Sequence, residues 1–460
     1  MNIFSALILC HCMMLAIAAN ICPNAGRCSC TFDILDCSGR NLSTIPHLSA
    51  SDKVIRIIRL DTNNIATVQN NSFIGILVSN IILRDNNISD VDHGAFNGVE
   101  DKINELDLSN NQLITIPTAI RTLNKIRTLN IAFNPIPWGA FDNVEGEDVL
   151  RTVGKTLYEF SFGHDALNEW PHTLRHLVTL KTLNILGGSF KTLPPAAFHG
   201  FEGTLLNLRI ENTKLIAIPV ALSRLTYLEK LNFDHNHDIG DAGILVPAFS
   251  STILRHLRDL TLKDDRLTVF PNILKYLDGV RKLSLDGNRL DVIGDNSIRV
   301  IASSKVEDLS LRNCSLTRVP GAISHMRSLT ILDLSNNSIT TFERNDFTNM
   351  SRIANLTVSA NPLMYISPDA FNELHNLIYL NLQSTNLMEI PTAIQNSRAI
   401  MDLILPTDQI SCTCDLAWLK TYMNVHNPRL HIQGTCETIE SSIENYMANF
   451  IPLCPNYSHG

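Results

Sequence analysis

One spacing pattern recurs along most of the chain: an apolar residue, apolar residues three and five positions later, and a polar residue, most often Asn, at the eighth. INELDLSNNQL from Ile103 shows it in full, and LTILDLSNNSI from Leu329, VRKLSLDGNRL from Val280, LIYLNLQSTNL from Leu377 and IRTLNIAFNPI from Ile126 repeat its apolar spacing. Fifteen starts follow one another: Ile55, Val78, Ile103, Ile126, Leu157, Leu180, Leu205, Leu228, Leu257, Val280, Val306, Leu329, Ile353, Leu377 and Ile400, about 25 residues apart on average. Offsets of three and five place two apolar side chains on one face of a short strand while the residues between face the other way. One such unit cannot bury its own apolar face. Stacked units share a continuous core beneath one parallel sheet, and stability becomes roughly a sum of repeat and neighbour terms. The length of 460 residues suits about three ordinary domains, but the repeat predicts one elongated array instead.

The recurrent Asn63, Asn86, Asn111, Asn134, Asn236, Asn288, Asn337 and Asn361 fall where the chain must turn off each strand. A buried amide there has both a donor and an acceptor for backbone groups that the bend strands. Asp165, Thr213, Asp265, Thr385 and Asp408 take over part of this work, Cys314 does so weakly and points its thiol inward, and Gly188 has no side chain to offer, which predicts local looseness there. After the strand, units alternate between a Pro-centred return (Pro117, Pro171, Pro194, Pro219, Pro271, Pro320, Pro391) and one with an aromatic at the core, as in Phe73, Phe96, Phe347 and Phe371. Two long spacings hold inserts, PWGAFDNVEGEDVLRTVGK and DIGDAGILVPAFSSTILRH, expected to bulge as loops or short helices.

Residues 1–19 carry no charge, are apolar from Ile3 onward and end in small residues, which reads as a secretory signal peptide. No later stretch is long and apolar enough for a membrane span. Cysteine usage agrees with export: Cys22, Cys28, Cys30 and Cys37 cluster before the repeats, and Cys412, Cys414, Cys436 and Cys454 after them. Each group of four allows three pairings, among which the residues do not choose.

The spacing is similar to the leucine-rich repeat, over nearly the whole chain after the leader. The first cysteine group, C-x5-C-x-C-x6-C, resembles the amino-terminal cap of extracellular members of that family, and CTCDLAWLKTYM with Cys436 and Cys454 resembles the carboxy-terminal cap. The resemblance implies an α/β solenoid, a right-handed horseshoe with a parallel β-sheet on its concave face and a disulfide cap at each end. It implies pairings of Cys22 with Cys30, Cys28 with Cys37, Cys412 with Cys436, and Cys414 with Cys454. The expected organisation is a signal peptide (1–19), an amino-terminal cap (20–54), about fifteen repeats (55–411) and a carboxy-terminal cap (412–460), with Trp418 and Leu419 on a helix over the last repeat. Slit proteins, Toll-like receptor ectodomains and the non-catalytic subunits of secreted enzymes such as carboxypeptidase N and a luciferin monooxygenase share this layout. The resemblance therefore implies a secreted chain that binds an extracellular protein ligand, or one that carries a secreted enzyme subunit.

The familiar catalytic signatures are absent, including G-x-S-x-G, H-E-x-x-H and Gly-rich phosphate loops, so neither an enzyme nor a cofactor is expected. Lys+Arg 37 against Asp+Glu 45, with no basic run, argues against nucleic acid as a partner. Asp234, His235, His237 and Asp238 are the one cluster with metal-ligand chemistry, but a strand and its turn do not converge them. The solvent side of the strands is the candidate site. Between Leu205 and Val306 it offers mixed charge, from which Arg209, Glu211, Asn232, Asp234, Lys263, Asp286 and Arg312 are nominated for protein contact, with Phe133, Tyr158 and Tyr379 as aromatic anchors. Sequons at Asn41, Asn70, Asn87, Asn313, Asn336, Asn349, Asn355 and Asn456 predict glycosylation, and the offset of Asn355 in its repeat points it to the open face.

Overall fold

The computed structural model describes residues 28–47, 55–244, 246–249, 254–290, 293, 297–437 and 439–455; the leader 1–19, Cys22 and Asn456 lie outside these. Among the described residues a strand begins two positions after each of the fifteen apolar starts, from Ile57–Arg59 to Asp402–Ile404. The physical reason is the alternation itself. In every strand the third position after the start is fully buried, as are Ile58, Leu106, Phe160, Leu260, Leu332 and Leu403, while its neighbours face outward.

The chain divides into two compact units, residues 1–215 with 224–228, and residues 216–223 with 229–460. The division follows the run of ladder positions, Asp165, Gly188 and Thr213, that lack an asparagine amide. In the first unit an antiparallel pair, Ser29–Thr31 with Ile34–Asp36, opens the sheet, which then runs parallel through successive repeats to Asn207–Thr213. In the second unit the sheet is parallel from Lys230–Asp234 to Asp402–Ile404 and ends on His431–Gln433.

The ladder asparagines bind as their chemistry requires. Asn63 donates from Nδ2 to the carbonyls of Cys37 and Leu60, both at 2.9 Å, and accepts at Oδ1 from the backbone N–H of Arg40 and Leu42, both at 3.0 Å. In the second unit Asn337 donates to Leu311 and Leu334 and accepts from Cys314 and Leu316. Each amide thus ties two successive turns where water is excluded, which is worth most because orphaned buried groups are expensive.

Except at Pro194, which leads into simple turns, the Pro-centred returns continue as 3-10 turns directly after the proline, such as Thr118–Thr122 after Pro117 and Thr392–Asn396 after Pro391, because proline sets φ and needs no donor. Aromatic returns pair as two-residue strands, Thr67–Val68 with Asp90–Val91 and Thr341–Phe342 with Tyr365–Ile366. The first insert folds into the helices Trp138–Asp142 and Val144–Val153, the second capped at its start by Asn143. The second insert contains 3-10 turns at Asp241–Gly243 and Val246–Ala248.

The expected looseness at Gly188 is corrected by the packing. Gly188 ends a seven-residue strand, Thr182–Gly188, and pairs with Thr213, and the space a side chain would take is filled by the Phe190 ring. Phe160, Phe162, Trp170, Phe190 and Phe198 form a chain of ring contacts there, with the Trp170 indole N–H donating to the Ala197 carbonyl. Aromatic bulk replaces the missing amide.

Disulfides join Cys28 to Cys37, Cys412 to Cys436 and Cys414 to Cys454; Cys30 is also disulfide-bonded, and Cys22 lies outside the described residues. At the carboxy end, helix Ala417–Val425 buries Leu419 and Tyr422 and leaves Trp418 half-exposed. The Tyr422 hydroxyl donates to the Ile394 carbonyl, and Asn427 to that of Ile400, so this segment closes the last repeats through hydrogen bonds as well as apolar contact. Among the described residues no helix is long and apolar enough to cross a membrane.

Candidate functional site

The open face of the second unit is built by register. Lys230, Asp259, Lys282 and Asp308 are consecutive ladder partners, so one row of the sheet alternates in charge from strand to strand. Four residues further along the same strands, Asp234, Lys263, Asp286 and Arg312 form a second row of opposite phase. Ion pairs run along each row from strand to strand: Lys230 with Asp259 at 3.6 Å and Lys282 with Asp308 at 3.0 Å in the first, Lys263 with Asp286 at 3.5 Å in the second, where Arg312 also lies 3.8 Å from Asp333 of the following repeat. The hydrogen bond and charge of Asp308 raise the Lys282 pKa.

In every one of these pairs the cation stands out and the acid is recessed. The side chain of Lys230 is 64% exposed against 35% for Asp259, and that of Arg312 is 51% exposed against 24% for Asp333. Such pairs contribute little stability, about 0–1 kcal/mol each. Their consequence is presentation: ammonium and guanidinium groups held at fixed spacing above a layer of carboxylates.

Two nominated residues are corrected by this geometry. Asp234 is buried, because it sits at the bend, and its Oδ2 accepts from Asn232 at 3.1 Å. Asp286 is turned into the sheet, where its Oδ1 accepts from the Ser310 hydroxyl at 2.5 Å and the Arg312 backbone at 3.0 Å. Asn232 and Lys263 are half-exposed and Arg312 exposed. Asp308 and Asp333 were not nominated from the sequence, although KLNFD, DLTLK, KLSLD and DLSLR, read side by side, reverse their end charges at each repeat.

Around the histidines, His235 Nε2 lies 3.4 Å from Asp264 Oδ2 and His237 Nδ1 lies 2.7 Å from the Asp264 carbonyl, so both rings are directed to the next turn. The described residues hold no group of three or more His, Cys, Asp or Glu side chains placed to share a metal. In the first unit, exposed Arg209 pairs with half-exposed Glu211 on its own strand, the Arg127 guanidinium lies 5.1 Å from the centre of the Tyr158 ring, and Phe133 is exposed in a left-handed conformation. Of the sequon residues, Asn41, Asn70, Asn87, Asn313, Asn336 and Asn349 are exposed and Asn355 is half-exposed.

The family model for the leucine rich repeat matches residues 76–136 and 304–363. The chain therefore contains leucine-rich repeats. It is 28% identical over 288 residues to podocan of Mus musculus, covering 53% of this chain and 46% of that one, and 24% identical over 328 residues to chaoptin of Tribolium castaneum, covering 71% and 36%. It is also 29% identical over 233 residues to the volume-regulated anion channel subunit LRRC8D of Rattus norvegicus, covering 49% and 26%. The leucine-rich repeat chain therefore spans less than half the length of each of these relatives. Among solved structures, TLR13 in complex with ssRNA13 superposes with a TM-score of 0.64 at 16% identity, covering 89% of this chain and 64% of that one. The Leptospira interrogans leucine-rich repeat protein LIC12759 superposes at 0.56 and 22% identity, covering 87% and 95%.

Proposed function

We propose that this leucine-rich repeat chain is a secreted, glycosylated recognition protein that binds an extracellular protein on the open face of its second unit. The reading is supported above all by the paired charge rows from Lys230 to Arg312. A partner with acidic groups at matching spacing replaces the recessed Asp acceptors, and a partner in another register meets like charge, so the alternation favours specificity and rapid encounter. The apolar leader 1–19 supplies export, and the disulfides suit the oxidising compartment it leads to. On this reading the protein recognises and performs no catalysis of its own.

The test is affinity capture from extracellular fluid with the full chain and with the double variant K263E/R312E, followed by mass spectrometry. A protein captured by the first and lost with the second supports the reading. Equal capture by both overturns the assignment of this face. Should the captured protein be a secreted enzyme in equimolar amount, the recognition is that of a carrier subunit.

A further inference from the structure

The open face of the second unit changes character after Asp333. The segments 353–360 and 377–384, which carry the next two strands, contain no Asp, Glu, Lys, Arg or His. Their outward positions are hydroxylic, amide or apolar. Ile331, Ile378 and Met401 are 37%, 42% and 43% exposed, and Tyr379 is half-exposed beside them. Exposed apolar side chains gathered on one side of a sheet call for a cover.

Asn355 stands in the middle of this strip. It is the ladder partner of Ile331 on one side and of Tyr379 on the other, with strands about 4.8 Å apart. It begins the sequon Asn355-Leu356-Thr357, its side chain projects from the open face, and no hydrogen bond from its side-chain amide is found within the described residues. Tyr379 is fixed beside it by a hydrogen bond between its hydroxyl and Asn381 Nδ2 at 3.3 Å.

We propose that Asn355 carries an N-linked glycan whose first sugars lie over Ile331 and Tyr379 and close the neutral strip to protein contact. A sugar ring has an apolar face of C–H groups and an edge of hydroxyls. The first matches the Tyr379 ring and the Ile331 side chain, and the second is satisfied by Thr357, Asn381 and water. The glycan thereby leaves the charged strands as the accessible part of the face. This inference rests on the secreted, glycosylated reading above.

The experiment is secretion of the full chain from cultured animal cells, glycosidase treatment in heavy-oxygen water, and mass spectrometric mapping of all sequons. Hydroxyl-radical footprinting then compares Ile331 and Tyr379 in the glycosylated protein, in the enzymatically deglycosylated protein, and in the variants N355Q and T357A, with N349Q as an off-face control. Occupied Asn355, with labelling of Ile331 and Tyr379 rising on deglycosylation and in both variants but not in the control, is the expected result. If either variant fails to fold, enzymatic deglycosylation alone carries the comparison. A bare Asn355 beside other occupied sequons overturns this inference and leaves the secreted reading intact; a chain bare at every sequon overturns both. Occupancy without any change in labelling overturns the glycan's placement.

Discussion

The backbone N–H of Asn236 donates to Oδ1 of Asp265 in the following repeat at 2.9 Å, while Oδ2 of the same carboxyl is buried with no hydrogen-bond partner. Asp265 occupies the ladder position, fully buried, where most repeats have Asn. Burial, reinforced by the charges of Asp234 and Asp264 and opposed by the Asn236 hydrogen bond, pushes its pKa up to about 8. In its neutral form the acid has one hydroxyl donor in place of the two amide donors of Asn.

A pH dependence follows, with its sign fixed by the direction of that shift. The folded state holds the proton more tightly than the unfolded chain, whose Asp titrates near 3.8. The contribution of Asp265 is therefore fully present below pH 3.8 and is lost as pH rises toward about 8. Asp265→Asn should stabilise the second unit at neutral pH and remove this contribution. Urea unfolding between pH 5 and 9 checks it: a variant whose stability falls with pH in parallel with the parent would refute the neutral-acid assignment.

Removing a complete ladder amide should act in the opposite direction. Asn337→Ala strands the N–H groups of Cys314 and Leu316 in a dry interior. The expected loss is on the order of 3 kcal/mol, from about 1–3 kcal/mol for each buried group left unpaired. Chemical denaturation of parent and variant measures it, and a loss below about 0.5 kcal/mol, the range of ordinary surface changes, would contradict the ladder's role.

Cys314 should be chemically silent in the folded chain. Its thiol is buried, lies 3.3 Å from the Leu285 carbonyl, and has its pKa pushed up to about 12 by burial and by the charge of Asp286. Only a thiolate reacts readily. A maleimide or aromatic disulfide reagent at pH 8 should modify it after unfolding and not before; stoichiometric labelling of the native protein would disprove its placement.

At Gly163 the backbone decides. Its φ is 130°, and a β-carbon would come within 2.7 Å of the Leu186 and Gly187 backbones, which have no flexible atoms to yield. Gly163→Ala should destabilise the first unit by about 2 kcal/mol or more. Thermal unfolding followed by tryptophan fluorescence reports on the same region through Trp170, and an unchanged melting profile would show that the close approach is dispensable.

What the sequence determined by itself is the array. Offsets of three and five, repeated along the chain, point to stacked strands with a shared core, and the eighth-position Asn announces a buried bend because no other neutral side chain of that size has two donors beside an acceptor. The placement of Ile58, Leu260 and Asn337 needed no coordinates. Single repeats also reveal which residues face outward, hence Lys263 and Arg312. What only the tertiary structure decided is what those residues meet. Ion pairs join residues more than twenty positions apart, so the alternating rows, the recession of Asp286 and the burial of Asp234 depend on register between strands, which local periodicity does not encode. The same holds at Gly188, where a missing side chain suggested slack and neighbouring aromatic rings removed it. Periodicity specifies which way a side chain points; only the neighbouring turn specifies whether charge, a ring or water is waiting there.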